Sequence, residues 1–232
     1  MIETITGLED LRGRVRGWRR EGLRVGFVPT MGNLHAGHYS LVALARQHAD
    51  RVVSSVFVNP TQFGPSEDFT RYPRTLEADT AGLEAAGCDV LWLPNVESMY
   101  PFGVDLASRV HVPGVSAVLE GACRPGHFDG VCTVVSRLFH QVLPDLAAFG
   151  RKDYQQLAVI RQLVADLHFP IQIIGGAIVR EADGLAMSSR NQYLGPDERP
   201  RAAVIHQVLQ AMRQAQLEGA PRDALEAQAC AQ

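Results

Sequence analysis

The chain is expected to fold as α/β, a doubly wound parallel sheet of Rossmann-like kind followed by a small, truncated C-terminal domain. Three observations predict this. Apolar or β-branched runs of strand length stand at 25–28, 52–58, 89–93, 145–149 and 171–174. Segments with apolar residues at helical spacing separate them. The stretch 24–63 reads strand, tight loop, helix, strand, a βαβ unit that crosses over right-handed onto a parallel sheet. The domains expected are 1–178, holding the ligand sites, and a partial lid over 179–232.

Residues 8–21 carry Leu8, Leu11, Val15 and Trp18 on one face of a surface helix, with Gly22 at its end. Val25, Phe27 and Val28 then form a buried strand that Pro29 is expected to stop. His35 and His38 open the next helix, whose Leu41, Val42, Leu44 and Ala45 recur at helical spacing. Amides in a helix's first turn lack intrahelical partners, and the macrodipole adds positive character there. Two imidazoles beside such amides suit polyphosphate oxygens, as donors and, when protonated, as charge. The loop is neither a P-loop nor G-x-G-x-x-G. Zinc needs further ligands, and no Glu-x-x-His pair or nearby Cys supplies them, so no metal site is expected. Two surface histidines without a role remain an alternative.

The run 52–58 ends at Asn59-Pro60, placing Asn59 and Gln62 just beyond a strand's carboxyl end, where parallel sheets put ligand contacts. Turn chemistry alone is the other reading. Residues 64–74 form a loop expected to cover the site's mouth. Residues 75–86 are a helix with Leu76 and Leu83 inward, and 89–93 a strand. The stretch 100–112 is poorly patterned, with a short strand offered by 108–112. Glu120, Arg124 and His127 make either a salt-bridged loop or part of a pocket wall.

Val134, Val135, Leu138, Phe139 and Val142 mark a helix over 131–142. The strand at 145–149 delivers Gly150, Arg151, Lys152 and Asp153 to the rim that carries His35 and His38. The helix at 154–167 places Gln156 one turn in, facing the site. After the strand at 171–174, Gly175 and Gly176 are expected to loosen the chain. Ser188, Ser189 and Arg190 put two hydroxyls, backbone amides and a guanidinium in one turn, which suits a leaving pyrophosphate; a Ser-rich turn without a role is the alternative. An amphipathic helix over 201–217 has an apolar stripe that needs a cover, and another helix starts at Asp223.

Composition narrows the function classes. The 232 residues carry a formal charge of −3 with no Arg-rich run, which argues against nucleic-acid or anionic-membrane partners. No signal peptide is expected, since Glu3 comes soon after Met1 in place of a basic and then apolar region, and no apolar stretch approaches spanning length. Cys88, Cys123, Cys132 and Cys230 lack C-x-x-C spacing and read as the reduced thiols of a cytoplasmic protein. Lys152 is the one lysine in a chain otherwise committed to arginine. Arginine replaces lysine on most surfaces, but not where a compact ammonium on a flexible stem is needed.

H-A-G-H, closing a strand and opening a helix, resembles the H-x-G-H signature of the nucleotidyltransferase superfamily. PTMGNLHAGH, VFVNPTQF, RYPRT, LEGACRPGHFDGV, FGRKDYQQL and DGLAMSSRN, in this order over about residues 1–200, resemble the pantothenate synthetase (pantoate–β-alanine ligase) family. The resemblance implies ATP-dependent condensation of pantoate with β-alanine to pantothenate through pantoyl adenylate, releasing AMP and pyrophosphate. It implies Lys152, His35 and His38 on phosphate oxygens, with His38 as proton donor, and Asp153 at the ribose. It further implies that Met31, Gly32, Asn33, Leu34, Ala36, Gly37, Gly150 and Arg151 complete the ATP site, that Gln62 and Gln156, joined by Asn59 and Arg124, hold pantoate, and that Val179, Met187, Ser188, Ser189 and Arg190 close over the nucleotide. It implies also Mg²⁺ on the phosphates and a cytoplasmic homodimer. Family members continue into a fuller C-terminal domain, so part of the lid is expected to be missing. Two rival readings stay open: another H-x-G-H nucleotidyltransferase, which keeps the nucleotidyl group on its product, and a non-catalytic nucleotide-binding remnant.

Overall fold

A computed structural model describes residues 1–64 and 67–231. Pro65 and Ser66, part of the loop expected at 64–74, and Gln232 lie outside the described residues. The chain divides into two compact units, Met1–Ala177 and Ile178–Gln232.

In the first unit the elements run β1 (Glu3–Ile5), α1 (Leu8–Arg20), β2 (Val25–Thr30), α2 (Ala36–Arg46), β3 (Arg51–Val56), α3 (Leu76–Ala85), β4 (Val90–Trp92), α4 (Val96–Met99), α5 (Glu120–Cys123), α6 (His127–Val142), β5 (Leu146–Gly150), α7 (Tyr154–Asp166) and β6 (Gln172–Gly176). Among the described residues the strands form one sheet in the order β1-β4-β3-β2-β5-β6, every pair parallel. The chain winds outward from β2 to β3 and β4, then returns to β5 on the other side of β2. The topological switch point therefore lies between β2 and β5, where open parallel sheets bind ligands at their carboxyl edge.

Strand alternation divides the core between the two faces. Phe27, Val53, Trp92, Ala147 and Phe149 turn to the side covered by α1, α6 and α7, meeting Leu11, Val15, Leu138, Phe139 and Ile160. Val28, Val52, Leu91, Leu146 and Ala148 turn to the other side, against Leu41 and Val42 of α2 and Leu83 of α3. A parallel sheet buried on both faces explains why the strands read as continuous apolar runs.

Several expectations need correction. β1 carries no sequence signal and pairs at the edge through Glu3 with Val90 and Ile5 with Trp92. Pro29 does not stop β2, which runs on to Thr30. By strand alternation the missing N–H of Pro29 points to β5, and pairing on that side ends at Phe27, while pairing with β3 continues through Thr30. Gly175 and Gly176 do not loosen the chain; they pair with Phe149 and Gly150 inside β6. A Cβ on Gly176 would overlap Leu41 Cδ2, so the glycine serves the close approach of α2. Residues 108–112 form no strand, and Leu76 is 46% exposed rather than inward.

The second unit holds α8 (Glu198–Leu217) and α9 (Arg222–Cys230). Leu225 of α9 is buried where the two helices meet near Val208 and Met212, while Ile205 and Leu209 of α8 stand exposed. The expected stripe is thus covered in part by α9.

Candidate active site

The carboxyl edge of the sheet at the switch point opens into a cavity of about 170 Å³. Pro29 and Thr30 at the end of β2 with Met31 just after it, Phe57 after β3, and Phe149 at the end of β5 with Asp153 beyond it form its floor and rim. His38 from the first turn of α2 and Gln156 from the first turn of α7 face it across the crevice, with Gln62 and Tyr72 to one side. Val131, Val134, Val135 and Leu138 of α6 give it an apolar wall.

The two histidines are locked by the helix end they cap. His35 is the N-cap of α2, and its Nδ1 accepts the Gly37 N–H at 3.1 Å. His38 Nδ1 accepts the His35 N–H at 3.3 Å, and the rings lie 4.1 Å apart at 47°. An Nδ1 that accepts a backbone N–H carries no proton, so each neutral ring presents Nε2–H outward. Burial, then the neighbouring His35 and the Lys152 charge, push the His38 pKa down to about 3. Of the two roles open to such imidazoles, donor or, when protonated, charge, His38 has the first near neutral pH: its ring is a neutral donor.

Lys152 follows β5, half exposed, with Nζ 3.1 Å from Asp153 Oδ1. It lies close enough for its charge to contribute to the lowered His38 pKa. Arg151 N donates to Gly176 O at 2.9 Å, tying the loop to the end of β6.

Gln62 is held from several sides. Its Oε1 accepts from Asn59 Nδ2 at 3.1 Å, its Nε2 lies 3.0 Å from Met31 Sδ, and its carbonyl accepts from His127 Nδ1 at 2.8 Å. Asn59 is 1% exposed and does not line the cavity. Its Oδ1 accepts from Tyr100 Oη at 2.6 Å and its Nδ2 also reaches Gly130 O at 3.2 Å, so it orients Gln62 from behind. Arg124 is not on the wall either. Its guanidinium forks onto Glu67 at 2.6 and 2.7 Å and reaches Glu120 at 2.7 Å, which realises the salt-bridged reading of this segment.

The 31–34 loop needs special backbone. Gly32 has φ 88° and Asn33 φ 51°, both left-handed. A Cβ on Gly32 would sit 3.0 Å from Val56 Cγ1 and 3.2 Å from Asp79 Oδ2. Sequence reasoning missed Asp79, which is distant along the chain and sits in a stretch of ordinary helical pattern. It also assigned the α6 wall to core alone, because periodicity reports burial and not what the buried face meets.

Val179 and 187–190 belong to the second unit. Met187 N donates to Val179 O at 3.0 Å across a short hairpin whose Arg180 and Ala186 pair antiparallel. Ser188 then turns the chain, its Oγ accepting from Arg190 N at 3.3 Å. Among the described residues no group of three or more His, Cys, Asp or Glu could hold a metal ion. No helix there is long and apolar enough to cross a membrane.

The model of the pantoate–β-alanine ligase family matches residues 3–232. The chain is 73% identical over 229 residues to a pantothenate synthetase of Xanthomonas campestris pv. campestris strain B100, covering 99% of this chain and 81% of that protein. It is 72% identical to the pantothenate synthetase of Xanthomonas axonopodis pv. citri strain 306 over 97% of its own length and 81% of that protein. Among solved structures, a pantothenate synthetase from Thermus thermophilus superposes with a TM-score of 0.89 at 51% identity, over 97% of this chain and 79% of that one. A Francisella tularensis pantoate–β-alanine ligase, complexed with a β,γ-ATP compound and β-alanine, gives 0.84 at 36% identity over 90% and 80%. The strand-loop-helix site at the switch point and these likenesses lead to one assignment: the chain belongs to the pantoate–β-alanine ligase family.

Proposed function

We propose that this pantoate–β-alanine ligase works in two steps, through pantoyl adenylate, in the cavity beside His38. The observation that carries this reading is the pairing of two side-chain amides, Gln62 and Gln156, with the apolar wall of α6. Pantoate is a dihydroxy acid with two methyl groups on one carbon, so it asks for both. The methyl groups rest on Val134, Val135 and Leu138, while the amides take the hydroxyl and carboxylate oxygens. A relative that was solved with a β,γ-ATP compound and β-alanine supports the other two substrates.

In the first step a pantoate carboxylate oxygen attacks the α-phosphorus of ATP, and the bond to pyrophosphate breaks. The carboxylate is already ionised, so no general base is needed. The difficulty is to bring two anions into line and to hold the charge on the phosphoryl oxygens. The Lys152 ammonium supplies charge, and the Nε2–H groups of His35 and His38 supply donors fixed before the reaction. The 31–38 loop and 150–153 cradle the nucleotide, with Asp153 on the ribose. The family resemblance supports nucleotide contacts from Val179, Met187, Ser188, Ser189 and Arg190. In the second step the β-alanine amine attacks the acyl carbon, and AMP leaves with both bonding electrons of the cleaved C–O bond.

Mg²⁺ arriving with ATP neutralises phosphate charge; the acceptors near the cavity suit an ion carried by the nucleotide, since Asp79 is engaged by amides and Asp153 by Lys152. The resemblance also supports a homodimer acting in the cytoplasm.

Assaying pantothenate formation from pantoate, β-alanine and ATP tests the reading. Wild-type chain forms pantothenate with one AMP per product, and Gln62→Ala raises the KM for pantoate at least tenfold while that for ATP changes under twofold. No product with wild type, or equal rises in both KM values, contradicts it.

A further inference from the structure

We infer that Asp79 is a positioning residue for the nucleotide loop: from α3 its carboxylate fixes the backbone of residues 33–34, and hence the H-A-G-H turn that follows. The inference rests on the reading that the 31–38 loop holds ATP.

Asp79 is 1% exposed, and a buried carboxylate must find donors. It finds them in the loop. Oδ2 accepts the Asn33 N–H at 2.9 Å and Oδ1 the Leu34 N–H at 2.8 Å. Oδ1 also accepts the Thr75 hydroxyl at 3.1 Å, from the N-cap of its own helix. These amides and this hydroxyl meet its charge. Two consecutive amides converge on one carboxylate only where the chain bends sharply, and here it passes through left-handed φ at both Gly32 and Asn33. Asparagine adopts left-handed φ more readily than most residues, and the two amide hydrogen bonds to the carboxylate fix the loop in that bend. The next residue but one is His35, the cap of α2.

The packing of α3 against α2 brings the carboxylate within reach. Gly82 lies three positions after Asp79, and a Cβ there would overlap the ring of Tyr39. That glycine lets α3 lie against the first turn of α2, bringing Asp79 up to the loop.

Coulomb's law separates positioning from charge. Removing a negative charge near a polyphosphate site should tighten ATP binding. Loss of positioning should weaken it. Asp79→Asn keeps the shape but turns an NH₂ group toward one of the two amides. We expect the KM for ATP and its dissociation constant to rise about tenfold or more, with the KM for pantoate within twofold. A merely structural role lowers the active fraction and moves neither KM. Thr75→Val, which removes one hydrogen bond and keeps the carboxylate, should give a shift of about two- to threefold in the same direction, and decides the matter if the Asn variant does not fold. An ATP dissociation constant that is unchanged or lowered, or parallel rises in both KM values, overturns the inference. His38→Ala is the control arm: if ATP binding and turnover are unaltered in it, the nucleotide-loop reading fails and this inference falls with it. Impairment of His38→Ala beside a normal Asp79→Asn overturns the role of Asp79 alone.

Discussion

Replacing Lys152 by alanine lowers pantoate-dependent ATP–pyrophosphate exchange by two to three orders of magnitude while the fold stays intact. The side chain is half exposed at the end of β5, and its ion-pair partner is the neighbouring Asp153 at 3.1 Å. Its loss therefore leaves no buried group unpaired and costs the fold little. The cost falls on the transition state, where charge on the phosphoryl oxygens loses the ammonium assigned to it; removing one such donor costs about 3–4 kcal/mol in comparable sites. Lys152→Arg does not restore the rate, because a planar guanidinium cannot take the place of a compact ammonium on a flexible stem. Exchange within tenfold of wild type in either variant, measured with unchanged thermal unfolding, contradicts the assignment.

His38→Ala has an effect of similar size, about two orders of magnitude on exchange, for a different reason. His38 acts as a neutral donor through Nε2–H, since its Nδ1 already accepts the His35 amide and its pKa is held down at about 3. His38→Gln, which still carries a donor at comparable reach, recovers part of the loss. The wild-type exchange rate does not follow a His38 ionisation between pH 6 and 8.5. Stability carries the same signature. The folded-state pKa lies below the unfolded value of 6.5, so the unfolded chain binds more protons as pH falls below that value. Stability is full above about 6.5 and declines as pH drops through the window toward 3. A rate that falls tenfold from pH 6 to 8 in wild type but not in His38→Gln would show a charged histidine and defeat this account.

The fold was legible where local chemistry speaks for itself. The runs at 25–28, 52–58 and 145–149 fell where strands lie, and the helix opened at His35 and His38 as the loop residues indicated. Legibility ended where a feature depends on distant chain. β1 has three residues and exists because Val90 to Trp92 offers it an edge. Pro29 reads as a strand breaker, yet β2 runs on past it because its pairing with β3 does not use the missing N–H. Gly175 and Gly176 read as a hinge, yet they are a strand under Leu41.

The site divides in the same manner. His38, Gln62, Asp153 and Gln156 meet at one cavity, as their places after strands and in first helical turns suggested. Asn59 and Arg124 carry the same polar chemistry but are turned away, one spent on Gln62 and Tyr100, the other on Glu67 and Glu120. Residue type cannot distinguish a side chain that touches ligand from one that orients its neighbour. Asp79 gave no signal at all, because its partners are backbone amides far away in sequence.

Oxygen-18 placed in the pantoate carboxylate tests the central claim most directly. If that carboxylate attacks the α-phosphorus and the amine later cleaves the acyl C–O bond, one labelled oxygen passes to AMP for each pantothenate formed. Mass spectrometry of the AMP should then show a single heavy oxygen per molecule, with the pyrophosphate unlabelled. AMP without label, or label found in pyrophosphate or inorganic phosphate, would show that no pantoyl adenylate forms.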